Sequence, residues 1–280
     1  MVKDFRFWNN MTGWALFAMS LLVYLLTIEP TVSFWDCGEF ILCSYRLEVG
    51  HPPGAPFFLL LGRFFTLFAG GDTSKVAMMV NIMSAMASAF TILFLFWSVT
   101  RLIRLATGDG TDVRGGKALA ILASGAVGAL AYAFSDTFWF SAVEGEVYAT
   151  SSLFTAAVFW AMLRWYDEAD DPHAGRWIIL IAYLMGLSIG VHLLNLLALP
   201  VLVLIWYFRK HEVTAKGVVY ATVAGFLILG VLNFLFIPGV AKVAGWFELF
   251  FVNTLGMPYN SGLYVYLVLL VGLTAGGLWY

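Results

Sequence analysis

Apolar residues run in long blocks along this chain, and polar residues gather between them. A helix needs about 20 apolar residues to cross a hydrocarbon core of about 30 Å. Candidate spans fall at 13 to 28, 76 to 100, 118 to 134, 148 to 163, 177 to 190, 194 to 208, 217 to 236 and 263 to 280. The block 57 to 69, FFLLLGRFFTLFA, is shorter, about 20 Å of helix with Arg63 at its centre. It suits a helix lying in the interface, with Arg63 snorkelling to the headgroups. Between the first two spans, Asp36, Glu39, Cys43 and Arg46 recur at steps of three, four and three. That spacing predicts a helix over 36 to 47 with a polar stripe along one face. Gly50-His51-Pro52-Pro53-Gly54 then makes a stiff turn into a second interfacial helix over 55 to 69.

These elements predict an all-α polytopic membrane protein: a bundle of about eight transmembrane helices, with interfacial helices in a long first extracytoplasmic loop, 29 to 75. Composition agrees, at 61% apolar, 17% aromatic and 11% charged residues. The net charge of -2 says little about partners, because position along the chain matters more than total charge in such a protein. With 57 to 69 not crossing, Lys3, Arg6, Arg101, Arg104, Arg114, Lys117, Arg164, Arg176, Arg209, Lys210 and Lys216 share one side. Only Arg46, Arg63, Lys75 and Lys242 lie on the other. The positive-inside rule makes the larger group cytoplasmic and places Glu29 to Lys75 outside. The first span lacks a small-residue cleavage site and reads as retained. Cys37 and Cys43, six positions apart on one helix, are about 9 Å apart, too far for a disulfide.

The run 177 to 208 must begin and end on the basic side, yet offers only about 22 Å per arm. It predicts a hairpin whose tip, Ser188 to Asn195, sits below the outer surface. Polar groups at that depth are tolerated where they face protein or a water-filled cavity. After Lys216 a span should rise to Pro238 and be followed by a third outer loop, 237 to 262. The last block is still apolar at Tyr280, so the sequence reads as cut short there.

The outer loops place Asp36, Glu39, Glu144 and Glu146 on one side with Arg46, His51 and His192. A half-buried cavity rimmed by carboxylates suits a reaction between a water-soluble acceptor and a lipid-borne donor. A carboxylate can deprotonate an acceptor hydroxyl, and cationic or hydrogen-bonding side chains can stabilise a departing phosphate. Each feature also has a plainer explanation. Asp36 with Glu39 three residues on is a capping-box pattern. The His-Pro-Pro-Gly turn can be a connector, Glu144 and Glu146 solvated loop residues, and His192 and Asn195 interhelical hydrogen-bonders. Asp167 to Asp171 reads as a solvated loop.

The order of a first span, Asp36-Cys-Gly-Glu39, His51-Pro-Pro-Gly54, Glu144-Gly-Glu146-Val-Tyr148 and Gly186-Leu-Ser-Ile-Gly-Val-His192 resembles the membrane glycosyltransferases of the GT-C superfamily. The resemblance is nearest to the protein O-mannosyltransferase-like branch, which includes a bacterial membrane family. It implies one GT-C-like domain over 1 to 280, with Asp36 as catalytic base and Glu39 beside it. Substrate-binding roles would fall to Arg46, His51, Glu144, Glu146, His192 and Asn195. It further implies a polyprenyl-phosphate sugar donor, a protein or glycan hydroxyl as acceptor, and a bacterial inner membrane with the active face toward the periplasm. No nucleic acid partner is implied. Related enzymes often set two acidic residues side by side, whereas Cys37 and Gly38 intervene here, so the division of labour between Asp36 and Glu39 stays open. No cofactor is expected; the four carboxylates could gather a divalent cation, but the mannosyltransferase-like relatives work without one. A secondary transporter would predict internal repeats, which are not evident. A non-catalytic assembly subunit would require Asp36 to be dispensable.

Overall fold

The computed structural model describes residues 4 to 110 and 113 to 279, and no strand occurs among them. The chain divides into two units, 1 to 213 and 214 to 280. In the first, α1 (Phe5–Leu26) starts where the Asp4 carboxylate accepts from the Phe7 amide at 3.1 Å. Next come α2 (Cys37–Arg46), α3 (Pro56–Thr66) and α4 (Val76–Ala106). After these follow α5 (Gly115–Ala133), α6 (Asp136–Ala142), α7 (Val147–Glu168), α8 (Gly175–Ile189) and α9 (Leu199–Lys210). Helix α4, about 46 Å long, is the central element, contacted by α1, α3, α5, α6 and α7. Its buried Ala77, Ser84, Ala85, Ala87, Ser88 and Ala89 let neighbouring backbones come close, which is how helices gain packing energy in lipid.

Among the described residues, five helical segments are long and apolar enough to cross a membrane, or six if the bent pair α6 and α7 forms one span. The expectation of about eight is therefore too high by this measure. The segments Gly175–Ile189 and Ser261–Gly277 are shorter than a full crossing.

The hairpin over 177 to 208 is present. Helix α8 begins beside the end of α7, where Arg176 meets Glu168 at 2.7 Å. Helix α9 ends at the same place, with Arg209 Nε donating to the Tyr166 carbonyl at 3.0 Å and Lys210 to that of Ala169 at 2.7 Å. The tip reaches the first turns of α7, where the Ser151 and Thr155 hydroxyls donate to Asn195 Oδ1 at 2.6 and 3.0 Å. Those residues lie about 6 and 12 Å along α7 from its start. The tip also docks on α3, because the Gly190 carbonyl accepts from the Phe57 and Phe58 amides at 2.8 and 3.2 Å. A Cβ on Gly190 would lie 2.8 Å from that of Phe57, so the approach needs glycine.

Two expectations about α2 and α3 change. Cys43 leaves the polar stripe, being buried with Cys37, Phe40 and Ile41 in the cluster joining α2 to α3, α4 and α7. Arg63 does not simply snorkel: its guanidinium donates to the Tyr45 carbonyl at 2.7 Å and lies over the Tyr45 ring. It satisfies a carbonyl that the last turn of α2 leaves open.

The second unit holds α10 (Ala215–Gly230), α11 (Ile237–Leu249) and α12 (Ser261–Trp279). The outer loop expected over 237 to 262 is helical as far as Thr254. π-helical turns at Val231–Phe236 and Phe250–Thr254 flank α11, and Pro238 stands in its first turn. A proline there needs no amide partner, and the wider turn before it lets the helix run on. Glu248 reaches across to the start of α12, accepting from the Asn260 and Leu263 amides at 2.6 and 3.1 Å.

Candidate active site

The end of α1 and the starts of α2, α4 and α7 meet at one end of the first unit. Asn81, fully buried on α4, donates to the Glu29 and Thr31 carbonyls at 2.6 and 3.0 Å and ties down the chain leaving α1. The Glu29 carboxylate accepts from the Thr31 amide and hydroxyl, closing a local turn. Ser33 then donates to Glu144 Oε2 at 2.8 Å, joining segments 111 positions apart. Trp35 follows with φ of 61°, a strained conformation for a bulky residue, and is 87% exposed.

Asp36 occupies the N-cap position of α2, but its side chain makes no capping bond. Glu39 does not complete a capping box either. It accepts from the His51 amide at 2.5 Å, and its other oxygen lies 3.0 Å from His51 Nδ1. The turn that carries His51 closes with Gly54 N donating to its carbonyl at 2.9 Å. The His51 contacts hold the Glu39 carboxyl below its ordinary range, and Glu39, with weaker help from Asp36 and Glu146, holds the imidazole above its own. Asp36 is thus left exposed beside an ion pair.

Glu144 and Glu146 are both buried, on the short stretch between α6 and α7, which bend by 108°. Gly145 between them packs so closely that a Cβ would lie 2.9 Å from Asn81 Oδ1 and 3.1 Å from Ile41 and Val80. Burial pushes the Glu144 carboxyl up, opposed by its hydrogen bonds from Ser33 and Cys37. Burial first, and then the charges of Glu144 and Asp36, push Glu146 up to about 7. The Cys37 thiol is pushed up to about 12 by burial and by both glutamates, so it is present as a hydrogen-bond donor.

Asp36, Glu144 and Glu146 share the wall of a cavity of about 530 Å³ with Trp35, Tyr132 and Tyr148. His192 lies behind Tyr148, with ring centroids 5.6 Å apart. Its Nδ1 accepts from the Leu194 amide at 3.3 Å, which leaves Nε2 carrying the proton. Two trios could supply metal ligands, Asp36 with Glu39 and His51, and Cys37 with Glu144 and Glu146; within each trio the ligand atoms lie within 4.8 Å of one another. In the first trio His51 already binds Glu39, and in the second Glu144 accepts from Ser33.

Residues 36 to 215 match the family described as the protein O-mannosyl-transferase TMEM260 N-terminal domain. The chain belongs to this family. Among its relatives is the protein O-mannosyl-transferase tmem260 of Dictyostelium discoideum, 27% identical over 199 residues, 69% of this chain and 22% of the relative. Another is the protein O-mannosyl-transferase TMEM260 of Mus musculus, 28% identical over 228 residues, 80% of this chain and 29% of the relative. The chain thus spans less than a third of the length of either. No solved structure matches it.

Every candidate site residue read from the sequence falls inside the part matched by the TMEM260 N-terminal family, but the fold does not gather them all. Asp36, Glu39, His51, Glu144 and Glu146 come together, and His192 reaches the cavity wall only through Tyr148. Asn195 does not line the cavity: it is buried and bound to Ser151 and Thr155. Arg46 stands exposed in the last turn of α2, off the cavity wall and without a hydrogen bond or ion pair among the described residues. Asn81, Ser33 and Cys37 were not foreseen. A lone amide in the first turns of the apolar run VAMMVNIMSAMA was the available signal for Asn81. Ser33 and Cys37 carried none, because their partner Glu144 is remote in sequence.

Proposed function

We propose that this chain carries the sugar-transfer site of a membrane O-mannosyltransferase, using a polyprenyl-phosphate sugar as donor and a serine or threonine hydroxyl of a protein as acceptor. The observation that carries the reading is Asp36, free of capping duty and exposed on the wall of a 530 Å³ cavity shared with Glu144 and Glu146. In the transfer step the acceptor hydroxyl gives its proton to Asp36 as its oxygen bonds the sugar's anomeric carbon. The bond from that carbon to the donor phosphate breaks, the phosphate leaves with the electron pair, and the configuration inverts. Glu39 shifts His51 toward its protonated form, in which the imidazolium would supply positive charge beside the base. Glu146, half-protonated near neutral pH, offers a carboxyl proton to a sugar or phosphate oxygen. The names of the relatives support the mannose and protein parts of this reading.

The test is transfer of radiolabelled mannose from polyprenyl-phosphate mannose to a serine- and threonine-rich peptide by purified protein. Asp36→Asn should lower turnover at least a thousandfold while gel-filtration behaviour and helical content stay as in wild type. Wild-type turnover in that variant would remove Asp36 as the base. If wild-type protein is active only with another sugar donor, the donor assignment is wrong while the base assignment stands.

A further inference from the structure

A second cavity in the first unit lies at the opposite end of α4 from Glu144 and Glu146. It measures about 940 Å³ and is lined by the start of α1, the last turns of α4 and α7, the stretch 108 to 110 and the first turn of α8. Along α4, Asn81 and Arg101 are twenty residues apart, about 30 Å of helix, so the two cavities are separated by roughly a hydrocarbon thickness.

Its wall is basic in a specific way. Every carboxylate on it has a cation of its own: Asp167 pairs with Arg101, Asp109 with Lys117 at 2.7 Å, and Glu168 with Arg164 and Arg176 at 2.6 and 2.7 Å. Arg6 and Arg104 have no carboxylate partner among the described residues. Arg104 lies over the Phe5 ring at 5.1 Å, and its one hydrogen bond is a long one, 3.4 Å, to the Gly110 carbonyl. Close behind the wall, Asn9 Oδ1, Trp97 Nε1, Arg101 Nε and Arg104 Nε are buried out of reach of solvent and have no hydrogen-bond partner among the described residues. Such orphans are costly, and here four come from residues around one cavity. Trp97, Trp160 and Trp177 form a continuous aromatic wall, with successive centroids 6.0 and 5.8 Å apart.

We propose that this cavity binds a phosphate ester whose alcohol part carries further hydroxyls, such as a sugar phosphate or a polyol phosphate headgroup. Guanidinium groups match phosphate oxygens in shape and charge. Arg6 and Arg104, lining the cavity with no carboxylate among the described residues to neutralise them, call for an anion, and the indole faces suit a ring bearing hydroxyls on its edge. A basic pocket between helices at the edge of the hydrocarbon is where a phospholipid headgroup would be met, and the same chemistry would take a soluble sugar phosphate.

The experiment uses the full chain. One arm is native mass spectrometry from nanodiscs of phosphatidylcholine with and without phosphatidylinositol; the other is titration of glucose 1-phosphate and inorganic phosphate in detergent, followed by thermal shift. Retention of phosphatidylinositol over phosphatidylcholine identifies a lipid source, and a saturable shift with glucose 1-phosphate alone identifies a soluble one. In either case Arg104→Gln should weaken binding at least tenfold, Arg104→Lys less, and Lys75→Gln at the other end not at all. Arg6→Gln, at an exposed position, should weaken binding severalfold and serves if Arg104→Gln does not fold. Equal retention of both lipids together with no response to either phosphate would overturn the proposal, as would wild-type binding by the foldable variants.

Discussion

Glu146 carries a testable consequence of where it is held. Burial and the neighbouring charges of Glu144 and Asp36 raise its carboxyl from 4.5 to about 7. A carboxyl whose folded value lies above its unfolded value favours the fold most when protonated. The contribution is fully present below about pH 4.5 and is lost as pH rises through 7. Glu146→Gln removes it, so the variant should lose less thermal stability than wild type between pH 5.5 and 8.5. Unfolding followed by circular dichroism checks this, and an equal pH response in both proteins would contradict it. Much at this scale was legible beforehand, because a carboxylate in a chain with only 11% charged residues stands out. What was not legible is environment. Asp36 and Glu39 have capping-box spacing, yet neither caps, because His51, twelve positions on and past the end of α2, takes Glu39.

Between elements, Asn81 and Gly145 act as one joint. Asn81 holds the chain leaving α1 to α4, and the bare backbone at Gly145 lets the stretch before α7 lie against Asn81. Asn81→Ala should cost about 1–3 kcal/mol by removing two part-buried hydrogen bonds, to the Glu29 and Thr31 carbonyls. Gly145→Ala should destabilise by a comparable amount, since its Cβ meets Asn81 and Val80 of α4 and Ile41 of α2. Because the two residues touch, their costs should not add, and the double variant should be more stable than the sum of the singles predicts. Chemical denaturation of all four proteins gives this coupling directly; strict additivity would break the joint into independent contacts. The boundaries of α2 and α3 followed from local spacing and from the Gly-Pro turn between them. The continuation past Pro238 did not, because proline is a local stop signal while the π-helical turn before it forms in the folded helix.

For the first unit as a whole, the two cavities are separated by the length of α4 and share no wall residue. Substitutions that far apart should act independently, so Asp36→Asn should leave phosphate-ester binding at wild-type strength. A tenfold change in that binding, read by the same thermal-shift titration, would show that the ends communicate. The chain's own letters decided the class, the two short helices that follow the first span, the hairpin over 177 to 208 and the grouping of basic residues, since each is a matter of length, period or local turn chemistry. Residues around Arg101, Arg164, Arg176 and Arg209 do share one end. Only the tertiary structure decided which candidates meet. Bringing Ser33 to Glu144, or Asn9 to Arg104, depends on how helices lean and pack around α4, a collective balance of many small contacts that no short stretch of sequence encodes.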